Sequence, residues 1–437
     1  MRLNASSNRP RTHEGGPAAF LSPEAQLERS VMACLLWEDS FYEDGVNIAE
    51  RIKTLAAGCP ADFVARLAVK AREEGRLRHA PLWLARELAR HPEKPKMAET
   101  LARVIQRADE PAEFLALYWR EGRRPLSKQV KLGLARALQK FDAYQLAKYN
   151  RDGAVKLRDV LFLSHARPRD EAQATAWRQL ANRTLPSPDT WEVALSGGAD
   201  KKETFTRLLG EGKLGYLALL RNLRNMVEAG VEESLIREAL LRGAAGARVL
   251  PFRFIAAARA VPRLEATLDQ ALKLALAGRP KLAGRTLVLV DVSGSMDAAL
   301  SGKSELCRLD AAGALAVLFA EMSDEARVFS FSDGLVEVPP RQGLALVDAI
   351  RHSQAHGGTL LGEAVARLKK EAADRLIVLT DEQSADQVPS PAGRGYMINV
   401  ASYAHGVGYG PWTHIDGFSE AVVQYVQALE SQNENGG

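Results

Sequence analysis

The chain has 437 residues, of which 46% are hydrophobic and 26% are charged, a composition typical of soluble globular proteins and a length sufficient for two or more domains. Its three cysteines form no CxxC pair, which excludes a disulfide framework and a zinc site built on cysteines. No apolar run reaches the roughly 18 residues of a membrane span, and the polar first residues lack an export signal, so we expect a cytoplasmic protein without membrane contact.

The net charge of +4 conceals an asymmetry along the chain. Residues 1–281 contain 47 Lys and Arg against 34 Asp and Glu, a net +13, whereas residues 282–437 contain 11 against 20, a net −9. A basic domain is a candidate binder of polyanions because neutralised phosphates release counterions. If the protein binds nucleic acid, the first part is predicted to hold it. The alternative is that the charge is spread evenly and only keeps a helical surface solvated.

The first 281 residues are predicted to be helical after a short tail. Residues 1–20 are rich in Ser, Asn, Gly and Pro and are expected to form a disordered tail. Over 21–281, apolar residues recur at three- and four-residue spacing in segments separated by Gly or Pro, as in ADFVARLAVKAREEG from Ala61. This pattern predicts a succession of amphipathic helices, which an array of stacked helix pairs would bury. No strict repeat period is visible.

Residues 282–437 show a different pattern, in which short apolar runs alternate with helical segments. TLVLVDV at 286–292, ARVFSFS at 326–332 and LIVLT at 376–380 predict strands, and a long helix is expected over about 308–322. The alternation predicts a parallel sheet covered on both faces, that is, a doubly wound α/β domain. Ligands of such sheets bind at the carboxyl ends of the strands, where the strand order reverses.

Polar residues follow two of these strands. The motif DVSGS at 291–295 ends the first strand, Asp381 follows the LIVLT strand, and Thr359 lies in the loop HGGTLLG. Mg²⁺ prefers six oxygen ligands, including one or two carboxylates and several waters. We therefore predict a divalent-metal site, with Mg²⁺ preferred, in which the hydroxyls ligate and the carboxylates hold waters. Its five residues are Asp291, Ser293, Ser295, Thr359 and Asp381.

These five positions resemble the metal-ion-dependent adhesion site of von Willebrand factor A domains, whose pattern they match completely. The competing interpretation of Ser293 as a catalytic nucleophile lacks the GxSxG motif and a histidine partner. A metal-dependent hydrolase would also need a general base beside the ligands. We therefore expect a protein that is not an enzyme.

Four short strings precede this domain in order: RLRHAP at 76–81, LSHARP at 163–168, LRNLRNM at 220–226 and LPFRF at 250–254. With the A domain behind them, they resemble the TROVE module of the Ro autoantigen family of RNA-binding proteins. The resemblance implies a ring of HEAT-like helical repeats over 21–281, closed by a von Willebrand factor A-like domain over 282–437. It also implies a Y-like small noncoding RNA on the basic outer surface and single-stranded 3′ ends of misfolded RNA in a central hole.

The same resemblance carries RNA contacts over to particular residues. His165 in LSHARP and Lys148 in KYNR match the family's RNA-contacting stretch, and Lys128 and Lys131 in PLSKQVKLG resemble its basic outer helix. Arg151 is included by proximity only, because the family's basic residue falls one position later, where this chain has an aspartate. A histidine beside a helix end is more often a cap or a core residue. The low aromatic content of 6% favours recognition through phosphates over base stacking.

Two functions remain open from the sequence. The first is an RNA-binding ribonucleoprotein scaffold for RNA quality control, which presents defective RNAs to a processing or repair enzyme. The alternative is a metal-dependent protein-interaction adaptor, in which the open coordination position of the A domain captures an acidic side chain of a partner. Ring closure by the A domain implies a monomer in either case.

Overall fold

The computed structural model describes residues 10–32, 45–75, 77–93, 96–150, 153–247, 249, 251–300, 306–401, 403, 405–417 and 421–434. The chain forms two compact units, one comprising residues 49–200 and the other residues 1–48 together with 201–437. Within the described ranges, every helix is too short or too polar to cross a bilayer.

The described residues between 23 and 196 are mainly helical, as the spacing of apolar residues predicts. In chain order the helices are α1 (Pro23–Met32), α2 (Gly45–Gly58), α3 (Ala61–Glu73), α4 (His79–Arg90), α5 (Met97–Val104), α6 (Glu110–Tyr118), α7 (Lys128–Leu138), α8 (Ala143–Tyr149), α9 (Leu157–Ser164), α10 (Glu171–Asn182) and α11 (Trp191–Ser196). Several begin at polar caps: the Ser127 hydroxyl accepts from the Val130 amide at the start of α7, and Asp142 forms a capping box with Gln145 at the start of α8. These caps satisfy amide groups that the first helical turn leaves without partners.

The helical stretch from Met97 to Gly122 is broken in the middle by a buried glutamate. The Glu110 carboxylate accepts from the amides of Gln106 at 2.7 Å and Arg107 at 3.0 Å, and also from Arg72 Nη2 at 2.6 Å. These bonds stabilise the turn between α5 and α6, and the ion pair with Arg72 compensates a carboxylate that is fully buried.

The second unit adds six helices before its sheet, counted over the residues that the structure describes. They are α12 (Lys201–Gly210), α13 (Tyr216–Arg221), α14 (Leu223–Glu228), α15 (Glu233–Arg242), α16 (Pro251–Ala260) and α17 (Glu265–Leu276). The sheet region then comprises β1 (Leu282–Asp291), α18 (Arg308–Glu321), β2 (Ser323–Phe331), β3 (Leu335–Glu337), α19 (Gly343–Arg351), α20 (Leu361–Leu368), β4 (Arg375–Thr380), β5 (Arg394–Asn399), β6 (Thr413–Asp416) and α21 (Ala421–Glu434).

The sheet has the strand order β3-β2-β1-β4-β5-β6, and only β3 is antiparallel to its neighbour. Helix α20 packs on it through Leu361 and Val365, against Leu289 of β1 and Val378 of β4. The strand order reverses between β1 and β4, which is where a doubly wound sheet binds ligands. A helical region followed by a doubly wound α/β domain is therefore confirmed.

The unit boundary differs from the sequence-based division at residue 281. Helices α12 to α17 belong to the same compact unit as the sheet. Arg259 of α16 forms a two-pronged ion pair with Asp310 of α18, and the Leu344 amide of α19 donates to Asp269 of α17 at 2.8 Å. Polar contacts of this kind tie the last helices of the basic part to the acidic domain.

The predicted disordered tail over 1–20 is wrong for residues 10–20; residues 1–9 lie outside the described part of the chain. The Thr12 hydroxyl donates to the Ser384 carbonyl at 2.7 Å, and the His13 amide donates to Gln383 Oε1 at 2.7 Å. Further along, the Ala19 amide donates to the Gly406 carbonyl at 2.9 Å. These hydrogen bonds to the loops after β4 and β5 order a segment whose composition alone favours disorder.

Candidate metal site and RNA-binding surface

The carboxyl ends of β1 and β4 bring together the two aspartates of the predicted metal site. Val290 of β1 pairs with Leu379 of β4 in parallel register, so Asp291 and Asp381 follow at neighbouring strand ends. Both are fully buried. Continuous apolar strands place the backbone inside the domain, and the first polar residue after each strand therefore faces the ligand-binding edge of the sheet.

Hydrogen bonds link four of the five predicted residues. The Ser293 amide donates to Asp291 Oδ1 at 2.9 Å, and the Ser295 hydroxyl donates to Asp381 Oδ2 at 2.7 Å. The two serine hydroxyls lie 3.3 Å apart. The DVSGS turn thus aligns carboxylate and hydroxyl oxygens around one point.

Thr359 reaches the same edge from a third loop. The Gly294 amide donates to the Gly357 carbonyl at 3.1 Å, and the Ala385 amide donates to the Thr359 carbonyl at 2.9 Å. The threonine loop is therefore bonded both to the DVSGS turn and to the loop that carries Asp381, and Thr359 itself is buried. The structure brings all three loops of the predicted site together.

Two residues of the site were missed from the sequence. The Thr380 hydroxyl donates to Asp291 Oδ2 at 2.6 Å, and its only sequence signal is its position beside Asp381. Arg308, at the start of α18, is buried and its Nη1 lies 3.3 Å from Asp381 Oδ2. No local motif marks this arginine, because its partner is 73 residues away.

The electrostatics of the site fit a bound cation. Burial and the charge of Asp381 raise the pKa of Asp291 well above its usual range, since both effects disfavour the ionised form. Asp291 receives its hydrogen bonds from the neutral Ser293 amide and Thr380 hydroxyl. A divalent cation would relieve the repulsion between the carboxylates. Two carboxylates with nearby hydroxyls form a set of oxygen donors that suits Mg²⁺.

The histidine that precedes the threonine loop contacts other residues through both of its ring nitrogens. Across the described ranges, no three His, Cys, Asp or Glu side chains gather as a metal cluster. His356 precedes the threonine loop, but its Nδ1 lies 2.6 Å from Asp297 Oδ2 and its Nε2 lies 2.9 Å from the Arg351 carbonyl. Both ring nitrogens are therefore engaged in structural contacts.

Lys128 and Lys131 lie one turn apart at the start of α7. Lys128 is exposed and Lys131 is half-buried. The exposed Arg123 and Arg124 precede them in the chain, and the Arg123 guanidinium lies 5.0 Å from the centre of the Trp119 ring. The run RRPLSKQVK therefore presents two further cations that the family resemblance did not point to.

Lys148 and His165 lie on α8 and directly after α9. Lys148 Nζ lies 6.0 Å from the centre of the Tyr144 ring, and that ring is half exposed. His165 ends α9 in the left-handed backbone conformation, with a φ of 52°, and its side chain is exposed. The histidine is thus a backbone cap whose ring remains accessible to a ligand. Arg151 lies outside the described residues.

Lys128 and Lys131 lie at the start of α7, whereas the loop that contains His165 contacts the residue just after the end of α7. Gln139, just after α7, donates to the Arg167 carbonyl of the LSHARP loop at 2.9 Å. Eleven residues separate Lys128 from Gln139, which corresponds to about 16 Å along a helix. The two lysines and His165 are therefore spaced to suit an extended polyanion better than a single phosphate. Of the other family-like strings, Arg76 and Leu250 lie outside the described residues.

Comparisons with known proteins match both parts of the chain. Residues 181–277 match the family model of the TROVE domain, and residues 285–396 match that of the Ro60 vWA domain. The second range contains all five predicted metal-site residues, whereas Lys128, Lys131, Lys148 and His165 precede the first range.

Telomerase protein component 1 of Mus musculus and that of Rattus norvegicus are each 35% identical to this chain over 89 residues. The match covers 19% of this chain and 3% of each relative, so the chain spans only a small part of these proteins. The crystal structure of the Deinococcus radiodurans RO (RSR) protein aligns over 93% of this chain and 100% of its own, with a TM-score of 0.59. At 17% identity, this likeness shows a shared fold.

The two family domains occur in the order predicted from the sequence, and the Ro structure shares the fold that contains them. Residues 181–277 are therefore a TROVE domain, and a von Willebrand factor A domain of the Ro60 type follows it at residues 285–396.

Proposed function

We propose that this chain is an RNA-binding ribonucleoprotein scaffold. It would hold a Y-like small noncoding RNA on the cations of α7 and α8, accept single-stranded ends of misfolded RNA, and present them to a processing or repair enzyme. The observation that carries the proposal is that the charges of three lysines are not paired. Within the described ranges, Lys128, Lys131 and Lys148 form no ion pair with a carboxylate, and their charges are available to phosphates.

This availability distinguishes the three lysines from other cations of the same unit. Arg72 pairs with Glu110, and Arg103 pairs with Glu73, so their charges are already compensated. An RNA phosphate that contacts an uncompensated lysine releases counterions and gains affinity. The TROVE domain supports RNA as the polyanion.

The test is a titration of a labelled small hairpin RNA against the protein at several salt concentrations. The variant combines Lys128→Ala, Lys131→Ala and Lys148→Ala, and we expect it to bind at least tenfold more weakly with a smaller salt dependence, by about 0.7 to 0.9 in log–log slope per lost contact. The control is Arg178→Ala, which removes an exposed arginine paired with Glu171.

A second variant, His165→Ser with Lys148→Ala, isolates the end of the surface near α8 and α9. We expect weaker RNA binding and an unchanged melting temperature, because the His165 ring is exposed. Equal affinity of the wild type and both variants would contradict the proposed surface. A loss of folding in the second variant would show that His165 has a structural role.

The metal site favours a second candidate function, a metal-dependent adaptor that captures an acidic side chain. Ser293, Ser295 and Thr359 would ligate Mg²⁺, with Asp291 and Asp381 holding its waters, and a coordination position would remain for a partner. We expect Mg²⁺ to raise the melting temperature of the wild type and not that of Asp291→Ala, since only a bound ion stabilises by mass action.

The same samples separate the two functions. At constant ionic strength, RNA affinity should be retained in EDTA and in Asp291→Ala, because the proposed RNA-contacting lysines lie in the other compact unit. A large loss of RNA affinity in both, with folding intact, would mean that the metal itself bridges protein and phosphate.

A further inference from the structure

Helices α13, α14 and α16 surround a pocket of about 420 Å³ that four arginine side chains line. These are Arg221, Arg224, Arg253 and Arg259. All four are exposed to solvent. Among the described residues that line the pocket, there is no aspartate or glutamate. Four cations therefore converge on one cavity, and the described part of its wall holds no carboxylate.

Small residues on α16 form part of the pocket wall. Ala260 lies one helical turn after Ala256 and Ala257, so the three alanines share one face of the helix. Because alanine has no side chain beyond Cβ, this part of the wall is apolar and leaves space between the guanidinium groups. The remaining wall includes Leu220 and Leu306.

The arginines differ in how far their charge is compensated. Arg259 is held by Asp310 through both carboxylate oxygens, and Asp310 also accepts from Arg351 Nη2 at 2.7 Å. One carboxylate thus serves two guanidinium groups. Arg221 and Arg253 form no ion pair within the described ranges, so the pocket has an excess of positive charge.

Arg253 lines this cavity close to the like charge of Arg221. Its guanidinium carbon lies 4.8 Å from the centre of the Phe252 ring. Partial desolvation of its guanidinium group, and then the charge of Arg221, lower the pKa of Arg253. Two like charges that face each other repel, and an anion between them would convert the repulsion into attraction.

We propose that this pocket binds a phosphate group of a single-stranded polynucleotide. Guanidinium groups recognise phosphate through paired hydrogen bonds, and a cavity of about 420 Å³ falls within the range that encloses a small ligand, which accommodates a nucleotide unit. The inference rests on the proposed RNA-binding function and names a strand site separate from the lysines of α7 and α8. A free nucleotide offers the same phosphate chemistry, and the test distinguishes the two sources.

The test uses the full chain with Arg221→Gln and Arg253→Gln combined. The probe is a labelled ten-residue oligouridylate without a terminal phosphate. We expect the double variant to bind it at least tenfold more weakly and to lose about 0.7 in the log–log salt slope, the value for one lost phosphate contact on a single strand. The matched variant Arg221→Lys with Arg253→Lys keeps both charges but loses the paired guanidinium donors, so its affinity should lie between that of the wild type and that of the Gln double variant.

The control removes two arginines whose charges are already paired. Arg178 and Arg242 are exposed and pair with Glu171 and Glu238, so replacing both by Gln changes the net charge equally. We expect this control to bind the oligouridylate as the wild type does. Equal weakening in both double variants would mean that total charge, and not the pocket, governs binding, and would overturn the proposal.

Uridine monophosphate and pyrophosphate identify the source of the phosphate. If they compete with the oligouridylate only at concentrations far above its own Kd, the polynucleotide is the ligand; competition at comparable concentrations would overturn that assignment in favour of a free nucleotide.

The outcomes also separate this inference from the proposed function. Unchanged oligouridylate binding in the Arg221→Gln, Arg253→Gln variant, with hairpin binding still dependent on the α7 lysines, would refute the pocket alone. If the wild type binds neither RNA, pyrophosphate still tests the pocket: stabilisation of the wild type that the double variant lacks supports a phosphate site, and its absence refutes one.

Discussion

Replacing Arg29 by Met tests how the N-terminal segment is held. Arg29 is fully buried, and its Nη1 lies 3.1 Å from Glu382 Oε2 and 3.8 Å from Asp416 Oδ1. His414 contacts both carboxylates, so two cations and two carboxylates form a neutral buried cluster. The Arg29 Nε also donates to the Tyr403 carbonyl at 2.6 Å. Without the arginine, the cluster contains one carboxylate too many.

The structure gives the size of the expected effect. Burial opposes ionisation of Glu382, but the charges of Arg29 and His414 hold its pKa at about 2, against a usual 4.5. At ~1.4 kcal/mol per pH unit, this difference corresponds to roughly 3 kcal/mol. Removing one partner of a buried ion pair costs about 3–5 kcal/mol. We therefore expect Arg29→Met to lower the free energy of unfolding by about 3–5 kcal/mol.

The assay is urea unfolding at pH 7 of Arg29→Met, Glu382→Gln and the double variant, with Arg178→Met as an exposed control. Because the double variant removes one charge of each sign, its loss should be smaller than the sum of the single losses by more than about 1 kcal/mol. A loss below about 1 kcal/mol for Arg29→Met, or additive single effects, would refute the view that this ion pair holds α1.

Three further predictions concern the same unit. Burial alone would lower the pKa of His414, but the charges of the two carboxylates raise it to about 9. The contribution of the charged histidine to stability is complete below about pH 6.5 and is lost as the pH rises through 9. The variant His414→Gln should therefore flatten this part of a plot of melting temperature against pH. Thr380→Val removes a hydrogen bond to a buried carboxylate and should cost about 1–3 kcal/mol in urea unfolding. Gly343 and Gly278 both have a positive φ, of 57° and 73°, but an added Cβ would lie 1.9 Å from Asp269 in Gly343→Ala and would meet open space in Gly278→Ala. Calorimetry should therefore show a larger loss of thermal stability for Gly343→Ala.

The clustering of the five residues proposed to bind a metal could be predicted because its signals are local. DVSGS directly follows a continuous apolar strand, and Asp381 directly follows another. In a parallel sheet all such strand ends meet at one edge, and the sequence pattern is therefore enough to bring the residues together. The short strands β3 and β6 have three and four residues and lack such a pattern, so they were not predicted.

The role of α1 could not be predicted, because its partners are distant in sequence. Arg29 lies in an ordinary amphipathic pattern, and its contacts with Glu382 and His414 span more than 350 residues. Composition likewise favours disorder for residues 10–20, whereas hydrogen bonds to the loops after β4 and β5 order them. Which charged residues become buried depends on tertiary pairing, and local spacing does not encode it. The predicted ring of repeats and the RNA contacts remain predictions.

The net charge of the basic part overstates the cations that can bind RNA, and the salt dependence of binding should show it. Residues 1–281 carry a net +13, but Arg259 is compensated by Asp310 of the acidic domain. The cations that we propose for phosphate are five: Lys128, Lys131, Lys148, Arg221 and Arg253. At about 0.7 per phosphate contact, with one contact for each lysine and one shared by the two arginines, an RNA that occupies both surfaces should give a log–log slope of about −2.8, whereas thirteen contacts would give about −9. A measured slope near the larger value would mean that charge spread over the whole basic part governs binding, and the assignment to two defined surfaces would then be wrong.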